Sequence, residues 1–276
     1  MLANELRGIG SIDLELKRKS VVVTGGASNI GRAIVLGFAE EGASLTIADL
    51  DAESGERVAE LAIDAGASAA QFVKTDVTEM GAVEQLFETA VKKFGSIDCL
   101  VNSVGWDKLM YFTQTAPDLW EKLIRVNFLS NLNCTKVALD HMIHAGVGSI
   151  VSISSDASRQ GEPREAVYGG LKAATNSFMK SVAKENGRFG IRCNCVCPGV
   201  TVPASLDETS DHSMWAVEGA MFTKDQLEAI GRSLPLKRIG RPDDIAHAVV
   251  FLSSQKAAGY ITGQVISASG GYSMIG

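Results

Sequence analysis

Lys19–Gly42 reads KSVVVTGGASNIGRAIVLGFAEEG, and three kinds of local order follow one another in it. Val21–Thr24 is a β-branched run with the composition of a buried strand. Gly25–Ser28 crowds small residues into a turn. Ile30, Ile34 and Phe38 then recur at helical spacing. Strand, glycine-rich turn and helix in that order make a cradle for a pyrophosphate. Small residues let the backbone approach the phosphates, and the first helical turn offers unpaired amides and partial positive charge. Gly25, Ser28, Asn29, Ile30 and Gly31 are the candidate contacts. The next strand, Ser44–Ala48, ends in Asp49, where an acidic side chain can accept hydrogen bonds from adenosine ribose hydroxyls and repel a 2′-phosphate. Its neighbours Leu50 and Asp51 supply no cation, so the pattern favours NAD over NADP, with Leu50 and Asp49 on the adenosine side.

Outward from this unit the chain keeps alternating. A helical run, Ala52–Ala65, precedes strand Ala69–Lys74 and the turn TDVT. Asp76 is placed to touch the adenine edge with Val77 beside it, or else to cap the helix that runs from Thr78 to Phe94. Strand Ile97–Val101 ends in NSVG, Asn102–Gly105. Trp106, Met110, Tyr111 and Phe112 follow, just past a strand end, as candidates for a substrate wall. A long helical pattern runs from Pro117 to His144 with Asn127 in its middle, a poor helix-interior residue that implies a backbone or water contact. Strand Gly148–Ser154, a helix from Tyr168 onward and strand Ile191–Cys197 come next. Periodicity weakens from Ala204 to Leu234, where Met214, Trp215, Met221 and Phe222 mix with charge. That segment, 200–236, reads as a lid. An amphipathic helix, RPDDIAHAVVFLSS, and a last strand, Gly263–Gly271, close the chain. The alternation predicts an α/β, Rossmann-type doubly wound parallel sheet in three layers, one domain over 18–276 after a leader at 1–17.

The catalytic candidates lie in SSDASRQGEPREAVYGGLK, Ser154–Lys172. Tyr168 and Lys172 fall one turn apart on one helix face. A cation so placed favours the phenolate, and a neighbouring opposite charge lowers such a pKa by about 1–3 units. The tyrosine could then exchange a proton with an alcohol or ketone. Ser155, at the strand end, could hold the substrate oxygen.

Composition removes other classes. Net charge is −6 over 276 residues, which speaks against a nucleic-acid surface, since that needs a basic face. No apolar run reaches the ~18 residues of a membrane helix, and no signal-peptide core is visible, so a cytoplasmic location is expected. Five cysteines suit a reducing compartment. Cys193, Cys195 and Cys197 alternate on one strand face and read as packed small hydrophobes rather than as a metal site. His141 and His144 lack a carboxylate partner and read as ordinary surface or half-buried residues, so no metal is expected.

Taken together, TGGASNIG, NSVG, the Ser155–Tyr168–Lys172 set, IRCNCVCPG and ITGQVISASGG resemble the short-chain dehydrogenase/reductase family over nearly the whole chain. The resemblance implies a dehydrogenase of secondary alcohols, with Asn127 as a fourth catalytic position supporting a water linked to the lysine. It also implies cofactor contacts at Asn102, Gly105, Pro198, Val200 and Thr201 and a homotetramer. The chain departs from the family at Asn29, where a glycine is usual, at Ser103 and Val104, and at Thr201, which comes early for a carboxamide contact. GWD, SSDASRQGEPREAVY and VCPG look most like alicyclic hydroxyacyl-CoA dehydrogenases. A CoA thioester substrate follows from that, with Lys108, Arg159 and Arg164 as candidates for its phosphates. A free cyclic alcohol, steroid or sugar is the alternative substrate. A catalytically silent dinucleotide-binding subunit is a further one.

Overall fold

The computed structural model describes residues 13–205, 208–210, 213–216 and 221–275. Seven strands form it: β1 Ser20–Thr24, β2 Ser44–Asp49, β3 Ala69–Lys74, β4 Cys99–Asn102, β5 Gly148–Ile153, β6 Ile191–Pro198 and β7 Val265–Ala268. The helices are α1 Asn29–Glu40, α2 Ala52–Asp64, α3 Met80–Phe94, α4 Pro117–Ile124, α5 Ser130–Ala145, α6 Ala157–Gln160, α7 Ala166–Asn186, α8 Lys224–Ser233, α9 Pro242–Ser253 and α10 Gln255–Ala258. All neighbouring strands pair in parallel, in the order β3-β2-β1-β4-β5-β6-β7.

The pleat sorts side chains into two layers. Val21 and Val23 of β1 pack with α1, α2 and α9 on one face. Val22 turns to the other face, among Phe87 of α3, Met142 of α5 and Met179 of α7. Helices cover both sides, so the central strands β1, β2, β4, β5 and β6 are buried almost throughout, while the edge strands β3 and β7 are half-buried. The strand order reverses between β1 and β4, which opens a crevice at their carboxyl ends. The turn after β1 and NSVG after β4 both lie there.

Four sequence expectations need correction or refinement. Residues 1–12 of the leader fall outside the described residues, but its last part is packed. Leu16 is buried and the Leu14 carbonyl accepts from Ser254 Oγ at 2.7 Å. The helix over 117–145 is interrupted by one π-helical turn, Arg125–Leu129, with Asn127 inside it. The helix after β3 starts at Met80 with Glu79 at its cap. Asp76 therefore caps no helix: its Oδ1 accepts from the Thr78 amide and hydroxyl at 2.9 and 2.8 Å. Within the lid segment α8 is a true helix, closed by a capping box of Thr223 and Gln226. Leu206, Asp207, Asp211, His212 and 217–220 of that segment lie outside the described residues.

Candidate active site

A cleft of about 810 Å³ runs along the carboxyl ends of the strands. Every residue named for the cofactor from the sequence lines it except Asn102, and so do Ser155, Tyr168 and Lys172. At one end α1 begins. No acidic residue occupies its first turn, and the Ser28 side chain does not cap it. Ser28 Oγ instead accepts from the Ser210 amide at 3.1 Å, and Arg32 pairs with Glu208 at 3.5 Å. These contacts tie the lid segment to the glycine turn. Asn29 holds φ +45°, a backbone that asparagine tolerates better than most residues. Gly31 sits so close to the turn that a Cβ would lie 1.9 Å from the Gly25 carbonyl oxygen. The bare helix start and this close approach fit a dinucleotide pyrophosphate.

Asp49 follows at the end of β2. Its carboxylate accepts from the amides of Ala27 at 3.1 Å, Leu50 at 2.8 Å and Asp51 at 3.3 Å. Burial pushes its pKa up and these amides pull it back. Asp76 and Val77 continue this wall.

At the other end stand Ser155, Tyr168 and Lys172. Lys172 is buried, its Nζ 5.5 Å from the centre of the Tyr168 ring and donating to the Ile153 carbonyl at 3.0 Å. Burial lowers its pKa to about 8. Tyr168 is hydrogen-bonded with Ser155. The sequence argument had the lysine lowering the tyrosine pKa, but in the folded chain the direction is upward. Burial is the largest cause, the Glu165 and Asp107 carboxylates add to it, and the Ser155 hydrogen bond opposes it.

Asn127 works from behind. Its Nδ2 donates to the Trp106 carbonyl at 2.7 Å and to Leu123 O at 3.1 Å, and its Oδ1 accepts from the Trp106 amide at 3.1 Å. The π turn, which inserts one extra residue into a helix, carries this side chain. Gly105 beside it is closely packed: a Cβ there would meet Lys172 Nζ at 3.1 Å and Asn127 Oδ1 at 3.3 Å, so those side chains would have to shift by a few tenths of an ångström. Asn102, expected at the cofactor, is buried instead. Its Nδ2 faces Asn131, Thr135 and Ser152 at 3.3, 3.1 and 3.2 Å, which ties β4, β5 and α5 together beneath the site. Thr201 reaches the cleft, but its hydroxyl donates to the Gly199 carbonyl at 3.2 Å.

Of the four residues expected to form a substrate wall, only Trp106 lines the cleft. Tyr111 and Phe112 are exposed, and Phe112 stacks on Trp120 at 5.7 Å. The wall comes from Val104, Met214, Trp215, Met221 and Phe222. Lys108, Arg159 and Arg164 do not line it either. Arg159 is committed to the Val265 carbonyl at 2.9 Å and Ser267 Oγ at 3.2 Å, and Arg164 to Leu109 O at 3.2 Å. Sequence reasoning missed the acids at this end, Asp107, Glu162 and Glu165, with Tyr272 donating to Glu162. The only local signal was an acid directly after Trp106 and two more in GEPRE.

Burial raises the Asp107 carboxyl from 3.8 to about 6. Burial and then the charges of Asp107 and Glu162 raise Glu165 from 4.5 to about 7. Native chains therefore bind these protons more tightly than unfolded ones. The stability the two groups contribute is full below 3.8 and 4.5 and is lost as pH rises through about 6 and about 7. Glu162, Tyr168, Tyr272, Arg164 and Lys172 are the titratable groups that share this corner. Asp107→Asn, which keeps the shape without the charge, is expected to melt with the wild type near pH ~4. Near pH ~8 it should be more stable by ~1–3 kcal/mol, at ~1.4 kcal/mol per pKa unit. Melting curves across that range check it.

A phosphate cradle at a sheet switch point, joined to a Ser–Tyr–Lys corner in one cleft, defines a dinucleotide-dependent oxidoreductase. A family model described as Enoyl-(Acyl carrier protein) reductase matches residues 25–273. An oxidoreductase of Thermotoga maritima without assigned substrate is 33% identical over 94% of this chain and 98% of its own. A 3-oxoacyl-(acyl-carrier-protein) reductase of Chlamydia muridarum is 32% identical over 93% and 98%. An acetoacetyl-CoA reductase of Synechocystis is 31% identical over 95% and 99%. A solved structure from Sinorhizobium meliloti, a candidate short-chain alcohol dehydrogenase, superposes with a TM-score of 0.83 at 27% identity, covering 94% of this chain and 98% of that one. The chain belongs to the short-chain dehydrogenase/reductase family, oxidoreductases that act on CH–OH donors with a nicotinamide dinucleotide. No helix among the described residues is long and apolar enough to cross a membrane.

Proposed function

We propose that this protein is an NAD-dependent dehydrogenase interconverting a secondary alcohol and its ketone, with Ser155, Tyr168, Lys172 and Asn127 as its working residues. The observation that carries it is the Tyr168–Ser155 pair over Lys172, in the same cleft as the bare start of α1. NAD, when bound, supplies the hydride acceptor. The Ser155 hydroxyl holds the substrate oxygen and steadies charge on it as the carbonyl forms. Tyr168 Oη takes the hydroxyl proton, or returns it in reduction. Lys172, anchored on Ile153 O, holds the nicotinamide ribose and keeps positive charge beneath the ring. Asn127 fixes the backbone of Trp106, so the strand end that faces the reacting carbon keeps its place. A water bridging Asn127 and Lys172 extends this reading. Gly25, Ser28, Ile30 and Gly31 seat the pyrophosphate; Asp49, Leu50, Asp76 and Val77 seat the adenosine; Pro198, Val200 and Thr201 border the nicotinamide.

Among the described cleft residues no cation pairs with Asp49, so its charge disfavours a 2′-phosphate. NADH is expected to bind more tightly than NADPH in a fluorescence titration. Asp49→Ser should shift that preference toward NADPH by about tenfold or more, the scale of one uncompensated charge pair in a partly buried site. Equal affinity for the two in the wild type would remove Asp49 from this role. Turnover of a panel of alcohols and ketones, read as NADH absorbance, tests the activity itself.

The hydroxyacyl-CoA reading, of the alicyclic type, keeps the support of sequence motifs and of relatives whose names specify acyl thioesters. Of its three expected phosphate partners, Arg159 and Arg164 are engaged with backbone carbonyls and the exposed Lys108 does not line the cleft, which favours a free alcohol. The proposal includes a homotetramer built through the Asn127 and Tyr168 helices and the C-terminal strand, and a cytoplasmic location.

A further inference from the structure

The cleft is unevenly charged. Asp107 follows β4, and Glu162 and Glu165 stand in the loop between α6 and α7, Glu165 just short of Tyr168. All three line the cleft with Tyr168 and Ser155. Asp107 is only 5% exposed. Its carboxylate accepts from the Lys108 amide, yet Oδ2 is buried without a hydrogen-bond partner. Glu162 is held by the Tyr272 hydroxyl. The charge of Arg164 acts on Glu165, but Arg164 is exposed and its guanidinium donates to Leu109 O. The charge of Lys172 acts on Asp107, while its Nζ donates to Ile153 O rather than to a carboxylate. Among the described residues no ion pair reaches any of the three acids.

A buried acceptor without a donor costs about 1–3 kcal/mol. Asp107 lines the cleft, so a small turn of its side chain lets a ligand there bring Oδ2 the missing donor. We propose, resting on the dehydrogenase reading above, that the substrate carries hydrogen-bond donors and no negative charge next to its carbinol carbon. Its class is a polyol or an amino alcohol, whose neighbouring hydroxyl or ammonium group donates to Asp107 and Glu165. An alkyl acyl chain in the same place would seal these carboxylates from water with nothing to bind. A hydroxy acid would bring a fourth carboxylate to three. The raised pKa values of Asp107 and Glu165 agree: both groups hold back ionisation until a donor or cation arrives. Sites built to hydrogen-bond a substrate group reject analogues lacking it far more strongly than apolar pockets reject a methylene.

One ring frame tests this: cyclohexanol, cyclohexane-diol, amino-cyclohexanol, hydroxycyclohexane-carboxylate and the CoA thioester of that acid, each with NAD and the whole protein. Turnover is read as NADH and binding as the melting shift of the NAD complex. The diol or the amino alcohol is expected to exceed the carboxylate and the thioester in kcat/KM by about 100-fold or more. Which of the two leads tells a hydroxyl donor from an ammonium. Asp107→Asn and Glu165→Gln should each shrink that ratio by about tenfold, the worth of one hydrogen bond to a charged group. The second variant guards against misfolding of the first, and NAD titration reports whether each has folded. Preference for the carboxylate, the thioester or plain cyclohexanol overturns the inference, as does a ratio unmoved in both variants. So does the absence of a melting shift with either donor compound. A wild type that binds neither NAD nor NADP would instead sink the dehydrogenase reading and this inference with it.

Discussion

Tyr168→Phe is expected to lower turnover by about 10²–10⁴-fold, the usual worth of a positioned acid–base group, while NADH affinity stays within about threefold. The substitution removes one oxygen and leaves the ring. The ring packs over Lys172 with the ammonium 5.5 Å from its centre, and Lys172 is anchored independently on Ile153 O. The melting temperature should therefore move little, and the loss should fall on kcat. Ser155, without its phenol partner, retains the Ala157 amide at 3.2 Å as a hydrogen-bond donor to its Oγ. The direction of the tyrosine's pKa adds a second readout. Burial, Glu165 and Asp107 hold the phenol protonated. Ketone reduction, in which Tyr168 donates, should hold its rate through neutral pH, and alcohol oxidation, in which it accepts, should climb as pH rises. In the Phe variant both profiles should flatten. A variant that keeps its rate within about tenfold would move proton transfer away from Tyr168, with Glu165 the nearest other candidate in this corner.

The sheet was legible because its strands are short, mostly buried in the middle of the sheet, and separated by turn chemistry. Ala69–Lys74 appears in the structure with its expected bounds, and the others differ by a residue or two except at the C-terminal end of β7. The phosphate cradle was legible for the same reason: strand, glycines and helix are contiguous. Asn127 announced itself as a poor helix residue, but the π turn that carries it and its bonds to the Trp106 backbone, 21 residues away, are encoded in no local pattern. Asn102 shows the opposite case. The family resemblance of NSVG implied a cofactor contact, yet the pleat turns Asn102 inward, onto Asn131, Thr135 and Ser152. Trp106 lines the cleft as expected, but Met110, Tyr111 and Phe112 do not, because hydrophobic residues after a strand end need not turn toward it. Met214, Trp215, Met221 and Phe222 arrive from a segment about a hundred residues later. The tyrosine pKa went the wrong way because helix spacing counts only the neighbour one turn on. Asp107, Glu165 and burial reach Tyr168 through tertiary structure. Helix α8 was recoverable from Thr223 and Gln226, the two ends of its capping box, had they been weighed against the weak periodicity around them.

Gly31→Ala should all but abolish dinucleotide binding, with a loss of NADH affinity of about 100-fold or more and a clear drop in melting temperature. The added Cβ would lie 1.9 Å from the Gly25 carbonyl oxygen, 2.7 Å from its carbon and 3.1 Å from Gly26 Cα. All three are backbone atoms, so no rotamer change relieves the contact. Either α1 withdraws from the turn or the turn opens, and both movements carry the first helical amides away from the pyrophosphate they would hold. Overpacking at a fixed site costs typically about 1–3 kcal/mol in stability alone. A control within the same chain separates geometry from the generic effect of replacing glycine. Gly170 sits in α7, exposed, with nothing within 4 Å of an added Cβ. Gly170→Ala should therefore stabilise the protein by about 0.5–1 kcal/mol, since alanine orders a helix at lower entropic cost. Tyr168 and Lys172 are two positions away on the opposite face of α7, so the rate should stay at the wild-type value. Should Gly31→Ala bind NADH within threefold of the wild type, the turn after β1 would not be where the phosphates sit. The acid at Asp49 and the bare start of α1 would then need another ligand to explain them.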